Sequence, residues 1–150
     1  MVKKNIILIS LILFLTSCGF TPMYVKNNNV NFSIEQVNFI GDRELNNFIK
    51  TNLYKYKNKE KENKIFIEVN SEYQKIIISK DSAGEVTNYQ LEANVVFLIK
   101  SSNKVIKINE KKIMKNMDDK FEENNYEKST KQSFASSITN KLISELLTNL

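Results

Sequence analysis

The sequence predicts an α+β domain with the element order β-α-β-β-β-α, in which two helices pack on one face of a four-stranded, mainly antiparallel sheet. Apolar residues recur at helical spacing in two segments and alternate with polar residues, at a spacing of two, in the segments between them. Turn-forming residues separate the alternating segments. Two helices on the apolar face of a four-stranded sheet are the simplest way to bury both patterns.

The domain is predicted to begin with a strand, a turn and an amphipathic helix. Residues 32–40 mix β-branched and aromatic residues with polar ones, which indicates a β-strand, and Gly41 ends it. Asp42 suits the N-cap position of a following helix. Apolar residues then recur at helical spacing, namely Leu45, Phe48, Ile49, Leu53 and Tyr56.

A long β-hairpin is predicted in the middle of the chain. After a charged connector over residues 55–64, apolar and polar side chains alternate from Ile65 to Tyr73. Three isoleucines at residues 76–78 make both faces of the strand apolar. The favoured interpretation is that these isoleucines are buried or form a bulge, and the alternative is that they form an apolar contact surface. A turn over residues 79–84 leads to the return strand. This strand has Tyr89, Leu91, Ala93, Val95, Phe97 and Ile99 on one face and Asn88, Gln90, Glu92 and Asn94 on the other.

The remaining elements are a fourth strand and a terminal helix. A turn over residues 101–104 precedes a lysine-rich strand over residues 105–117, whose imperfect alternation indicates a bulge. A polar loop is predicted through Asn125. Residues 127–150 are predicted to form an amphipathic helix, because apolar residues fall four apart at Phe134, Ile138, Leu142 and Leu146.

The amino-terminal residues 1–17 have the parts of a secretory signal peptide that is removed. Two lysines precede an apolar run over residues 6–15, and small residues follow. The run is shorter than the roughly 20 residues that cross a bilayer. The string Leu-Thr-Ser-Cys resembles a bacterial lipobox, so Cys18 is predicted to carry the lipid; a buried free thiol is the weaker alternative. Residues 18–31 are then a lipidated tether, and residues 32–150 form a single domain.

The composition argues against an enzyme. The chain has no histidine, and its one cysteine is assigned to lipid attachment, so the usual general base and nucleophilic triads are absent. The acid pairs at residues 118–119 and 122–123 lie in a polar stretch and are predicted to be solvated loop charges. No catalytic residue, metal or cofactor is expected. A carboxylate hydrolase would require Asp118 or Glu122 to be buried beside a second acid.

Three groups of residues, with the element order, carry a resemblance to a known family. Residues 18–24, Cys-Gly-Phe-Thr-Pro-Met-Tyr, are similar to the Cys-Gly-Phe-x-Pro-x-Tyr start of some members. Asp42-Arg43 with Leu45 and Leu53 resembles the entry to the first helix. The hairpin resembles that of the family at Lys80, Asp81, Gly84, Thr87, Tyr89, Leu91, Val95 and Phe97. In these features the chain resembles the LptE family, the lipoprotein component of the outer-membrane lipopolysaccharide-assembly complex.

The resemblance implies a non-enzymatic lipoprotein, anchored through Cys18 on the periplasmic side of the outer membrane. It implies a plug inside a large β-barrel partner similar to LptD, which assists barrel assembly and the insertion of lipopolysaccharide into the outer leaflet. The polar face that comprises Asn88, Gln90, Glu92 and Asn94 suits contact with a wet barrel wall. The candidate contacts to lipopolysaccharide phosphates are Lys75, Lys80, Lys107 and Lys111.

Two alternatives stay open at the level of sequence. Lysines are mostly exposed in any protein, so the alternative interpretation is that the candidate lysines are only solvated. The same two interpretations apply to the other lysines of the fourth strand, namely Lys104, Lys112 and Lys115. No nucleic-acid partner is expected. The alternative function is a periplasm-facing lipoprotein that binds a lipid or peptide and assists an inner-membrane transporter.

Overall fold

The computed structural model describes residues 30–58 and 60–149. The predictions for the signal peptide, for lipid attachment at Cys18 and for most of the tether lie outside the described residues. The described part has two helices, one 3-10 turn and four strands. In chain order these are β1 (Ser33–Gly41), α1 (Arg43–Leu53), the turn Tyr54–Tyr56, β2 (Lys64–Lys80), β3 (Val86–Ile99), β4 (Lys104–Lys115) and α2 (Lys120–Asn149).

The four strands form one sheet in the order β1-β2-β3-β4. β1 pairs with β2 in parallel, whereas β2 with β3 and β3 with β4 are antiparallel. Because a parallel pair needs a crossover connection, the chain between β1 and β2 carries α1. The predicted α+β class, element order and mainly antiparallel sheet are therefore confirmed.

One face of the sheet forms the core with both helices. Along each strand every second side chain points to this face, as the pleat requires. The buried apolar residues of the sheet include Ile65, Ile67, Val69, Leu91, Ala93, Val95, Phe97, Ile106 and Ile108. Opposite them the helices bury Leu45, Ile49, Leu53, Phe134, Ile138, Leu142 and Leu146. The spacing of the helical residues in the sequence predicted these contacts.

The junction between β1 and α1 depends on Gly41 and Asp42. Gly41 has a φ of 100°, which L side chains rarely adopt, and a Cβ at this position would overlap the backbone carbonyl of Ser71 in β2. Asp42 is the N-cap, as predicted: its Oδ1 accepts a hydrogen bond of 2.7 Å from the Leu45 backbone N–H. The strand therefore turns into α1 within two residues.

Helix α2 begins seven residues earlier than the sequence pattern indicated, so the predicted loop through Asn125 is wrong. Asp119 caps the helix, because its Oδ1 accepts hydrogen bonds from the backbone N–H of Phe121 (2.7 Å) and Glu122 (3.3 Å). The first turns of α2 lack an apolar stripe, since ion pairs rather than apolar contacts attach them to the sheet.

The bulge predicted in β4 is also wrong. The register of β3 and β4 is unbroken from the pair Asn88 and Lys115 to the pair Ile99 and Lys104. Alternation in β4 is imperfect because two charged residues point to the helix-covered side. Glu110 accepts hydrogen bonds from Ser137 and Lys141 of α2, and the Lys112 Nζ lies 4.8 Å from the centre of the Tyr126 ring.

The three isoleucines near the end of β2 are exposed, which corrects the favoured interpretation that they are buried. Ile76, Ile77 and Ile78 are 37%, 51% and 45% exposed. The bulge predicted as the other possibility is present, since the register with β3 shifts between Ile77 and Ser79 and again before Lys80. The end of the hairpin therefore carries apolar surface on both faces.

Neither helix in the described part of the chain has the length and apolar composition that crossing a membrane would require.

Replacing Gly41 by alanine is expected to lower the free energy of unfolding by at least about 2 kcal/mol, because the new methyl group meets the Ser71 carbonyl in a backbone conformation that is already unfavourable. Urea denaturation monitored by circular dichroism measures the loss. Gly84→Ala is the matched control: Gly84 has a φ of 85° but open space around it, so its cost should be about 1 kcal/mol. Equal losses in the two variants would contradict the steric explanation.

Candidate functional site

The sheet face opposite the helices carries no helix in the described residues, and we call it the open face. It consists of alternate side chains of the strands. From β2 it takes Phe66, Glu68, Asn70, Glu72, Gln74 and Ile76; from β3 Asn88, Gln90, Glu92, Asn94, Val96 and Leu98; and from β4 Val105, Lys107, Asn109, Lys111, Ile113 and Lys115.

A hydrogen-bonded polar belt crosses the middle of the open face. Glu92 is its centre: Oε1 accepts from the amides of Asn109 (2.8 Å) and Asn94 (3.2 Å), and Oε2 accepts from Gln90 (3.0 Å). The Lys111 Nζ lies 3.3 Å from Oε2. Burial raises the pKa of Glu92, but the hydrogen bonds from Asn109, Asn94 and Lys111 outweigh it and hold this pKa below its ordinary value. The belt is therefore ionised and internally paired.

All four residues that the sequence predicted for a polar face lie on the open face. Three of them, Gln90, Glu92 and Asn94, are members of the belt. Asn88 lies nearer the hairpin turn, where its amide donates to the Ser79 hydroxyl at 2.8 Å. Sequence reasoning missed Asn109, which joins Glu92 to Asn94, because only the register between β3 and β4 shows that these residues are neighbours.

Exposed apolar residues lie on the open face at both sides of the belt. Phe66 and Val105 are exposed near the start of β2, and Ile76 and Ile113 are exposed near its end. Phe66 and Ile76 are ten residues apart on one strand, which is roughly 33 Å at about 3.3 Å per residue. Clustered apolar residues on a surface are typical of contact sites. The face thus has a polar centre with an apolar patch on each side.

The four candidate phosphate-binding lysines fall into two different environments. Lys80, Lys107 and Lys111 have exposed side chains, the first beside the hairpin turn and the others on the open face. Lys75 points to the helix-covered side, where its Nζ lies 2.6 Å from Glu123, 3.2 Å from Glu127 and 4.5 Å from the centre of the Tyr89 ring. The charge of Lys75 is therefore engaged within the protein.

Glu123 is the buried centre of an ion cluster that attaches the first turns of α2 to the sheet. Its side chain accepts hydrogen bonds from Lys75 at 2.6 Å and from Lys120 at 3.0 Å, and these lower its pKa to about 2. Only 4% of Glu123 is exposed, so its assignment as a solvated loop charge is wrong. Asp118 and Glu122 are exposed, and the condition set for a carboxylate hydrolase is not met.

A second ion cluster connects α1 to α2 on the helix-covered side of the sheet. The Lys131 Nζ lies 2.9 Å from Glu44, 4.0 Å from the N-cap Asp42 and 4.2 Å from the centre of the Tyr73 ring. Burial, together with the carboxylate of Glu127, raises the pKa of Tyr73, so this ring stays neutral. Charged side chains thus take the place of apolar core where the first half of α2 contacts Tyr73 and Lys75 of β2.

No group of three or more acidic, histidine or cysteine side chains within residues 30–58 and 60–149 is arranged to hold a metal ion.

Glu123→Gln is expected to lower the free energy of unfolding by about 2 kcal/mol at pH 7, because the ionised carboxylate binds both lysines. A folded-state pKa of about 2, against an ordinary 4.5, means that this contribution is complete above pH 4.5 and is lost as the pH falls towards 2. The variant should therefore lose less stability than the natural protein between pH 4.5 and 2. Denaturant titrations across this range measure both effects.

The neighbouring Glu122→Gln is the control, since Glu122 is exposed; a change within about 0.5 kcal/mol is expected. The same pH profile for Glu123→Gln as for the natural protein would contradict the role of Glu123.

Comparisons with known proteins give similarity in structure but not in sequence. No protein-family model matches the chain, and no curated protein matches it. Among solved structures, rare lipoprotein B from Shewanella oneidensis is similar with a TM-score of 0.53 and 12% identity, over 76% of this chain and 98% of that chain. A minor lipoprotein from Acinetobacter baumannii gives 0.51 and 12%, over 73% and 93%. The chain therefore has the fold of these bacterial lipoproteins.

Proposed function

We propose that the protein is a non-enzymatic lipoprotein subunit of the outer-membrane lipopolysaccharide translocon. In this role it is tethered through Cys18 on the periplasmic side and lies as a plug in the lumen of a large β-barrel partner. It assists assembly of the barrel and insertion of lipopolysaccharide into the outer leaflet. The fold shared with rare lipoprotein B and the minor lipoprotein supports the lipoprotein class of this proposal.

The observation that carries the proposal is the open face with its polar belt. Glu92 and its partners satisfy one another, so the belt can lie against a hydrated wall without leaving buried charges unpaired. The apolar patches around Phe66 and Ile76 supply surface whose removal from water favours contact. A polar surface with a few apolar anchors is typical of protein interfaces and suits the polar interior of a barrel.

Contact with lipopolysaccharide is the second part of the proposal. Lys80, Lys107 and Lys111 are exposed and remain the candidates for its phosphates, and a phosphate would share Lys111 with Glu92. Lys75 is no longer a candidate, because releasing it would leave Glu123 without its partner in a buried position. The exposed isoleucines at residues 76–78 lie close to Lys80 in the chain, and this pairing of apolar surface with a cation suits an acylated, phosphorylated lipid.

A photo-crosslinking amino acid at Asn94 is expected to capture a large β-barrel protein in the outer membrane of the bacterium that makes this protein. Mass spectrometry of the crosslinked product identifies the partner. The matched control places the same amino acid at Gln132, which is exposed on the outer surface of α2, where less capture is expected if the open face is the contact. Capture of only an inner-membrane transporter subunit would overturn the plug and support the accessory lipoprotein instead.

Cys18→Ala is expected to release the protein from the membrane while the domain stays folded, since Cys18 lies outside residues 30–149, which contain the core described above. Membrane fractionation followed by immunoblotting measures the release, and circular dichroism of the soluble variant measures folding. Membrane association equal to that of the natural protein would contradict lipid attachment at Cys18. Ser17→Ala is a control that keeps the thiol.

A further inference from the structure

The outer edge of β4 has unused backbone hydrogen-bonding groups. β4 is the last strand of the sheet and pairs only with β3 in the described chain. In an antiparallel pair, residues that bond to the partner strand alternate with residues whose N–H and C=O point away from it. The Asn116 N–H donates to the Thr87 carbonyl at 2.8 Å, which sets the phase of this alternation. With the unbroken register, the outward groups belong to Val105, Lys107, Asn109, Lys111, Ile113 and Lys115.

This edge has few of the features that protect a sheet from adding a strand. Proteins shield edges with short strands, prolines, bulges and charged side chains. β1, the opposite edge, is nine residues long and has an irregular register between Ile34 and Gln36. β4 is twelve residues long, contains neither proline nor glycine, and has no register shift against β3. Lysines are its main protection.

A groove lies along the edge, between β4 and the last turns of α2. It has a volume of about 370 Å³ and is lined by Ile106, Lys107, Ile108 and Asn109 together with Lys141, Ser144 and Glu145. Ile106 and Ile108 form its buried floor. The charges on the helix side are paired, since Lys141 lies 2.7 Å from Glu110 and Lys104 lies 3.5 Å from Glu145. Small or apolar side chains of an added strand therefore fit this side.

The open-face side of the same edge is basic. Lys107, Lys111 and Lys115 lie at every fourth residue, and they belong to the same set of alternate residues as the outward backbone groups. Lys111 also contacts Glu92 of the belt at 3.3 Å. A second copy of β4 would add the same lysines to this edge, and in registers that place Lys107 opposite Lys111 or Lys115 it would bring lysines opposite lysines, which is unfavourable across a strand pair. Carboxylates at alternate positions of an added strand would be attracted instead. The lysines of the edge thus disfavour a second copy of the chain and favour an acidic segment.

We propose that β4 binds, by strand addition, an extended segment of a partner protein in which acidic residues alternate with small or apolar ones. The backbone bonds pair with Val105, Lys107, Asn109, Lys111 and Ile113. The acidic side chains lie beside the lysines of the open face, and the other side chains enter the groove. This mode of recognition uses the backbone for affinity and alternate side chains for specificity. The inference does not depend on the proposed function.

The test uses the full-length chain in detergent and a labelled, end-capped ten-residue peptide in which glutamate alternates with valine and threonine. Fluorescence anisotropy is expected to show binding at least about tenfold tighter than for the same peptide with lysine in place of glutamate. Hydrogen exchange of the Lys107, Asn109 and Lys111 amides should slow on binding. The amides of Ile106 and Ile108 serve as the internal control, because they already bond to β3.

Two variants separate the contribution of the lysine charges to binding from that of the backbone hydrogen bonds. Lys107→Glu with Lys115→Glu should weaken binding of the acidic peptide about tenfold, whereas Lys50→Glu with Lys128→Glu, at exposed positions on the helices, should not. Lys107→Pro removes an outward N–H that no strand uses, so it should abolish binding while cooperative unfolding is retained.

Three outcomes would overturn the proposal. The first is equal binding of the acidic and basic peptides, or binding of neither. The second is protection of amides in β1 instead of β4. The third is protection of the same β4 amides without peptide as the protein concentration rises, which would make a second copy of the chain the occupant of the edge.

Discussion

The parallel pairing of β1 with β2 is the constraint on which the other features depend. Two parallel neighbours cannot be joined by a tight turn, so the chain must cross one face of the sheet, and α1 makes this crossing. α2 packs beside α1 on that same face and completes a single core. The opposite face is left without a helix in the described residues. The Gly41–Asp42 junction makes the crossing possible, because the strand changes direction there against Ser71 with no room for a side chain.

The two halves of α2 are attached to the rest of the domain by different kinds of interaction. Its second half is held by apolar burial around Ile138 and Leu142, which involves no titrating group. Its first half is held by Glu123 and Glu127 on Lys75, and by Lys131 on Glu44. Buried ion pairs contribute less net stability than an apolar core of equal volume, but losing one partner is costly. This half of the helix therefore has a fixed position without a large apolar surface.

Features that depend on residues close together in the sequence could be predicted, and features that depend on distant residues could not. The strand over residues 86–99 and the N-cap Asp42 were predictable, because alternation and capping are visible within a few neighbouring residues. The start of α2 was not, since Glu123 finds Lys75 at a distance of 48 residues. The same holds for Glu110, whose partners Ser137 and Lys141 lie on another element. Three belt residues of the predicted polar face, Gln90, Glu92 and Asn94, could be named from sequence, but their link through Asn109 required the strand register.

The pairing of charges around Glu92 has a consequence for the kinetics of association. A carboxylate that is paired with Lys111 and accepts hydrogen bonds from three amides produces little electric field beyond the surface, so the middle of the open face neither attracts nor repels a distant partner. Encounters through this face would then be governed by diffusion and shape, with rates that change little with ionic strength. The lysine edge of β4 is the opposite case. One small domain thus combines a surface that is steered by charge with one that is not.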